Sequence, residues 1–214
     1  MEKIERKILK LQIPSLSATS SDISPKVLLH SCCAPCSAAI IECMLDNKIR
    51  PTIFFYNPNI YPEEEYLIRK HEIMRYLKEL GLDYADADYD HEQWLSGIKG
   101  LEDEPERGSR CLKCFTLRLT ETARYASLHG FNIITTTLAS SRWKDLDQVN
   151  AAGREATNLY PEVVFWDQNW RKSGLTERRS QLLKQNGFYN QQYCGCEFSL
   201  KQMKAWREMR DSNL

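Results

Sequence analysis

Apolar and polar positions along the chain fall into two rhythms. KVLLHS and PTIFFY are short, nearly continuous apolar runs closed by the turn-forming stretches CCAPCS and NPNIYP, and they read as buried strands. NIITTTLA and EVVFWD have the same character, and DYADADY is a weaker strand candidate. Between them the spacing changes to a helical period. AAIIECMLDN predicts one helix. EEEYLIRKHEIMRYLKELG predicts a long one, with Tyr66, Leu67, Ile73, Met74, Leu77 and Leu80 as apolar positions and Gly81 closing it. CLKCFTLRLTETARYASLHG predicts a helix ending at Gly130, and LDQVNAAGREATNLY, 174–186 and 198–210 predict three more. Strands separated by helices need parallel crossovers. The expected fold class is therefore α/β, a parallel sheet flanked by helices with a helical C-terminal part. Upstream, 2–11 predicts a short amphipathic helix and SLSATSSDISP a Ser-rich linker, so residues 1–25 read as an extension and 26–214 as a single α/β domain. In open parallel sheets ligands sit at the C-terminal ends of strands, and CCAPC follows the first strand directly.

Composition narrows the classes. Of 214 residues, 42% are hydrophobic and 27% charged, which fits a globular chain and excludes whole-chain disorder, collagen and coiled coil. No apolar run reaches the length of a membrane span. The N-terminus, MEKIERKILKLQIP, lacks the apolar core of a secretory signal, so a cytoplasmic location is expected. The 29 basic and 29 acidic residues cancel, which argues against a strongly basic nucleic-acid binder. The charge is unevenly spread: 59–110 carries 7 basic and 14 acidic residues, 171–214 carries 9 and 4. The basic C-terminal segment reads as a solvated helix face or as a contact for an anionic partner.

Eight cysteines change the picture: Cys32, Cys33, Cys36, Cys43, Cys111, Cys114, Cys194 and Cys196. In a reducing compartment such a set points to metal binding or redox chemistry rather than static disulfides. Cys32, Cys33 and Cys36 occupy a strand-to-helix turn, where helix N-terminal amides favour the thiolate, and Pro35 suits the first helical turn. Cys111 and Cys114 repeat a Cys-x-x-Cys at a second helix start, with both sulfurs on one side. Two widely separated sulfur pairs suit zinc or a [4Fe–4S] cluster. The adjacent Cys32 and Cys33 would crowd a single zinc ion and favour the cluster. Cys33 and Cys36 alone would suit a thioredoxin-like redox pair. Cys194-Gly-Cys196 reads as a small redox disulfide ring opened by Gly195, or alternatively as two further ligands or free thiols. Cys43 lies on an apolar helix and reads as core.

Other polar candidates are weaker. His30 ends the first strand beside Cys32; His71, His91 and His129 read as surface or helix-end residues. Asp86, Asp88 and Asp90 read as a solvated acidic edge. Neither GxGxxG nor GxxxxGK[ST] is present, so no standard nucleotide loop is expected.

Taken together, VLLHSCCAPCS, FFYNPNIYPEEEYLIR, RCLKCFTLRL, ITTTLASSRWKD, FWDQNWRKSG and YCGCEFS resemble the cobalamin-independent epoxyqueuosine reductases of queuosine biosynthesis (QueH-type), in order from about Val27 to Ser199. The resemblance implies a Rossmann-like (PP-loop/HUP-like) catalytic domain that reduces epoxyqueuosine to queuosine at the wobble position of tRNA. Matched position by position, Cys32, Cys33, Cys111 and Cys114 would hold a [4Fe–4S] cluster. Cys194 and Cys196 would form a redox-active disulfide, and Cys36 would ligate an additional mononuclear iron. The implied partners are a tRNA with epoxyqueuosine in its anticodon loop and an unidentified electron donor, without a membrane, for a monomeric enzyme. Tyr56, Tyr61, Trp143, Trp166 and Trp170 are candidates to stack on RNA bases, and Arg142, Lys144, Arg171 and Lys172 to meet phosphates. The rival readings are a metal-free thiol–disulfide oxidoreductase, a zinc-stabilised RNA-binding module and an ATP-dependent sulfur-transfer enzyme on a similar fold.

Overall fold

The computed structural model describes residues 9–16, 24–87 and 89–212. Five strands form one parallel sheet in the order β3-β2-β1-β4-β5: β1 (Val27–His30), β2 (Thr52–Phe55), β3 (Tyr84–Asp86), β4 (Ile133–Thr136) and β5 (Val164–Phe165). β1 and β4 are buried at every position, which is why VLLH and IITT lack polar alternation. β3 lies at the edge with Tyr84 exposed, the physical reason for its weak pattern.

Among the described residues there are seven helices, six of them expected from the sequence and α3 not: α1 (Ala34–Asp46), α2 (Glu63–Leu80), α3 (His91–Gly97), α4 (Ser109–Leu128), α5 (Leu146–Asn158), α6 (Leu175–Gln185) and α7 (Glu197–Asp211). α1 packs on α2 and α6, and α4 on α3 and α5, giving the two helical layers. α2 starts with Glu63, Glu64 and Glu65 at its positive end, has Lys78 in its last turn and stops at Gly81 in the left-handed region (φ 60°). Asp90 and Asp145 cap α3 and α5 through their carboxylates.

Three expectations need correction. Residues 9–11 are not helical; residues 2–8 of that expected helix, most of the Ser-rich linker and Asp88 lie outside the described residues. The segment 9–16 instead lies against the core and is tied to α1: Asn47 Nδ2 donates to the Leu9 carbonyl (2.7 Å) and the Leu11 amide donates to Asn47 Oδ1 (2.9 Å). Leu67 is exposed on α2, whereas Tyr76, Glu65 and Arg69 are buried there. α4 ends at Leu128, before Gly130.

The chain leaves β1 toward β2 and β3 on one side, and β4 and β5 lie on the other. The strand order therefore reverses between β1 and β4, where α1 begins just beyond the carboxyl end of β1. A short 3₁₀ turn, Thr137–Ser140, leaves β4 at the same level.

Candidate metal and redox site

One of the expected groups of cysteines gathers at this switch point. Cys32 and Cys33 close β1, Cys33 caps α1, and Cys36 sits in its first turn. The three sulfurs lie within 4.8 Å of one another, with Cys32 Sγ and Cys33 Sγ 3.7 Å apart. The sequence placed Cys32, Cys33 and Cys36 in one strand-to-helix turn, and the structure gathers their sulfurs there. Cys111 and Cys114 stand on the first turn of α4, outside that trio. Cys194 and Cys196 precede and cap α7, and all eight cysteines are free thiols in this structure.

The trio is electrostatically asymmetric. Cys32 is held well below the usual thiol range, first by hydrogen bonds from the Cys33 and Cys36 thiols and then by the charges of Lys144 and Arg118. Thr137 Oγ1 also donates to Cys32 Sγ (3.4 Å). Burial pushes the Cys33 thiol up, and its hydrogen bond to Cys32 pushes the Cys36 thiol up to about 11. The trio thus concentrates its first negative charge on Cys32, ready for a cation. Burial also raises Cys111 to about 11 and raises Cys114; Cys196 reaches about 12 through burial and the Cys194 charge.

Two cations link the cysteine groups. Arg118, buried on α4, interacts electrostatically with Cys32 and Cys114. Lys144 interacts with Cys194, Cys32 and Cys36; burial opposes its charge, yet these thiols together hold it above the usual lysine range. Arg118 and Trp94 hydrogen-bond to the Cys114 thiol and favour its thiolate against the pull of burial, and Trp94 packs against Cys114. N–H donors and cations arrayed on these thiols are what a negatively charged iron–sulfur–thiolate centre would use, so the donor set fits such a group.

A third arginine builds the Cys194–Cys196 loop. Arg69, buried on α2, donates from Nε to Glu65 Oε1 (2.8 Å), from Nη1 to the Cys194 carbonyl (3.2 Å) and from Nη2 to the Tyr193 carbonyl (3.3 Å). Tyr189 donates its hydroxyl to Glu65 Oε2 (2.8 Å). Gly195 has φ 133°, and a Cβ there would lie 3.1 Å from Arg69 Nη1. These residues escaped sequence reasoning; the i,i+4 spacing of Glu65 and Arg69 was the available signal.

A cleft of about 260 Å³ opens beside Cys111, Cys194 and Cys196, with Lys144, Arg107 and Trp143 also in its wall; the trio does not line it. Arg171 Nη2 holds the Lys144 carbonyl (2.9 Å) and so supports the cleft wall; Lys172 is exposed. Trp166 and Trp170 are buried and pack edge-on at 5.4 Å, which removes them as RNA-stacking candidates. His30 is wholly buried. Its Nε2 donates to the Tyr56 carbonyl (3.1 Å), so Nδ1 accepts from the Thr136 hydroxyl (2.8 Å), and burial lowers its pKa to about 3. It is a neutral brace between β1 and β4. His91 stacks between Tyr61 and Trp94 at the start of α3. Asp86 pairs with Lys70, and Asp90 caps α3.

Comparison with known proteins matches this chain to one family. The model described as Epoxyqueuosine reductase QueH covers residues 27–202. The Epoxyqueuosine reductase QueH of Haemophilus influenzae is 48% identical over 199 residues, 93% of this chain and 78% of its own. That of Histophilus somni is 50% identical over 183 residues, 86% and 75% of the two chains, and that of Thermotoga maritima 34% identical over 177 residues, 81% and 90%. Among solved structures, the U34-tRNA thiolase NcsA from Methanococcus maripaludis with its [4Fe-4S] cluster superposes with a TM-score of 0.50, covering 92% of this chain and 70% of its own. At 10% identity that likeness concerns the fold alone. Among the described residues no helix is long and apolar enough to cross a membrane.

Proposed function

The chain belongs to the epoxyqueuosine reductase QueH family, and from that premise we propose that it deoxygenates epoxyqueuosine in tRNA at an iron–sulfur site beside a redox dithiol. The observation that carries the reading is the close trio Cys32, Cys33 and Cys36 at the switch point, electrostatically linked through Arg118 and Lys144 to Cys114 and Cys194.

Cys32, Cys33, Cys111 and Cys114 hold a [4Fe–4S] cluster in this reading. Cys36, the surplus sulfur of the trio, holds an additional mononuclear iron. When bound, the cluster supplies electrons singly and the iron polarises oxygen. The chain's own groups do the rest. Epoxide deoxygenation consumes two electrons and two protons and releases the oxygen as water, leaving the alkene. The Cys194 and Cys196 thiols, closing to a disulfide, release two electrons and two protons, so the two half-reactions balance. An external donor of two electrons then reopens the pair. Lys144 places its ammonium charge at the cleft, where oxygen leaves as an anion before it is protonated. The bases come from a single-stranded loop, the part of an RNA whose edges a protein can read. The enzyme works as a cytoplasmic monomer.

The test is anaerobic reconstitution followed by iron and sulfide analysis, an absorption spectrum, and mass spectrometry of nucleosides from tRNA incubated with reductant. About five irons to four sulfides per chain, broad absorption near ~400 nm, and loss of one oxygen atom from epoxyqueuosine support the proposal. A colourless zinc protein that leaves the nucleoside unchanged refutes it. Cys111→Ser and Cys114→Ser should abolish the iron–sulfur absorption, whereas Cys36→Ser should retain it and lose only the additional iron.

A further inference from the structure

The cleft has one exposed aromatic wall. Trp143 is 46% exposed although it lines the same cavity as Cys111, Cys194 and Lys144. An exposed indole leaves apolar area in water, and this one is held in place by its neighbours. Arg107 Nε donates to the Trp143 carbonyl (3.0 Å), and Arg107 Nη2 to the Arg142 carbonyl (3.1 Å). The Trp143 amide donates to Ser141 Oγ (3.3 Å). Arg107 adopts a left-handed backbone conformation (φ 67°), its carbonyl accepts from Gln148 Nε2 (2.7 Å), and its amide donates to Cys111 Sγ (3.3 Å). One residue therefore fixes the indole's backbone and touches a sulfur of the proposed cluster.

The surroundings select the occupant. The Arg142 guanidinium lies 5.8 Å from the Trp143 ring centroid. Arg107, Arg110 and Lys144 line the cavity with Trp143, against one carboxylate, Glu106. At about 260 Å³ the cavity is below the usual range of small-molecule pockets, about 300–1,000 Å³. It admits one planar base with its substituent and excludes a duplex. A π-face edged with cations and opening onto a small cavity suits a base splayed out of a single strand, with phosphate beside it.

We infer that Trp143 is the stacking platform for the substrate base, which lies on the indole with its side arm directed toward the thiols while Arg142 meets the adjoining phosphate. The inference rests on the reductase reading and adds to it the subsite that orients the RNA. It assigns Trp143 to binding and leaves electron transfer to the cysteines.

The test uses the anaerobically reconstituted holoenzyme and epoxyqueuosine-containing tRNA, with binding measured by anisotropy separately from turnover. Trp143→Ala should weaken binding by about 5- to 150-fold, the span of base–aromatic stacking, with an unchanged iron–sulfur spectrum. Trp143→Phe should recover most of the affinity. Binding should quench tryptophan emission in the wild type and quench it less in Trp143→Phe. Arg142→Gln should reduce the salt dependence of binding by about one phosphate contact. Because affinity is read without turnover, a wild-type enzyme that binds but does not reduce the epoxide counts against the reductase reading and leaves the platform standing. Wild-type affinity in Trp143→Ala overturns the platform. So does a defect confined to reduction by a protein electron donor, which would make the indole that donor's contact.

Discussion

Replacing Arg69 by Met tests whether the Cys194–Cys196 loop is built from α2. The guanidinium and the Glu65 carboxylate are only 2% and 8% exposed, and the Arg69 Nη2–Glu65 Oε1 distance is 2.7 Å. Met preserves much of the volume and removes the charge. It leaves Glu65 with the Tyr189 hydroxyl, and it strips the donors from the Tyr193 and Cys194 carbonyls. Removing one partner of a buried ion pair costs about 3–5 kcal/mol. For a chain of this size 1 kcal/mol corresponds to about 2–4 °C in Tm, so a fall of roughly 6–20 °C is expected in a thermal melt of the holoenzyme. Arg69→Met/Glu65→Leu should recover part of that loss, because no charge is then stranded. The reactivity of the Cys194 and Cys196 thiols toward a disulfide reagent should rise in the single variant as the loop loosens. A melt within about 2 °C of wild type, with unchanged thiol reactivity, would refute the idea that this pair supports the loop.

Gly195→Ala places a Cβ 3.1 Å from Arg69 Nη1 and 3.2 Å from Ile60 Cγ1 at a φ of 133°, at a cost of about 1–3 kcal/mol. Turnover should fall and the Cys194/Cys196 reduction potential should shift while iron content stays normal, and an unshifted potential refutes it. His30 titrates at about 3 when folded against 6.5 for the free side chain. Between those values the unfolded chain takes up a proton that the native state declines, so stability is complete above pH 6.5 and is lost as pH falls toward 3. His30→Asn should flatten the acid limb of urea midpoint against pH, and identical limbs in the two proteins would dismiss the effect. The thiols of Cys36 and Cys111, raised to about 11, stay protonated at neutral pH, so metal must displace their protons. Iron affinity of the metal-free protein, measured by chelator competition, should increase from about pH 6 to pH 9; a flat profile counts against thiol ligation.

The fold was legible because its strands are short buried runs and its helices are periodic. VLLH, TIFF and IITT have no second face to reveal, and their lengths with flanking turns were enough. HEQWLSG, which forms α3, went unread because its buried apolar content is one residue, Trp94. The chemistry of the site was legible in the cysteines, since few other roles suit such spacing. The trio Cys32, Cys33 and Cys36 is local to one turn and was legible too; how α4 and the Cys194–Cys196 loop stand relative to it was not, because that depends on non-local packing. The supporting arginines were hidden for a related reason. Arg69 and Arg118 sit in helical patterns where long cations normally face water, and only the packed sheet shows that they face inward.

Arg69, Arg118 and Lys144 act on the sulfurs from three sides of the chain. With the proposed iron–sulfur centre in place, each added electron would bring negative charge into their combined field, making its reduction easier and its reoxidation harder. Under that proposal a donor of modest reducing power would suffice to load the centre. Replacing any of the three with a neutral residue would shift that demand onto the donor.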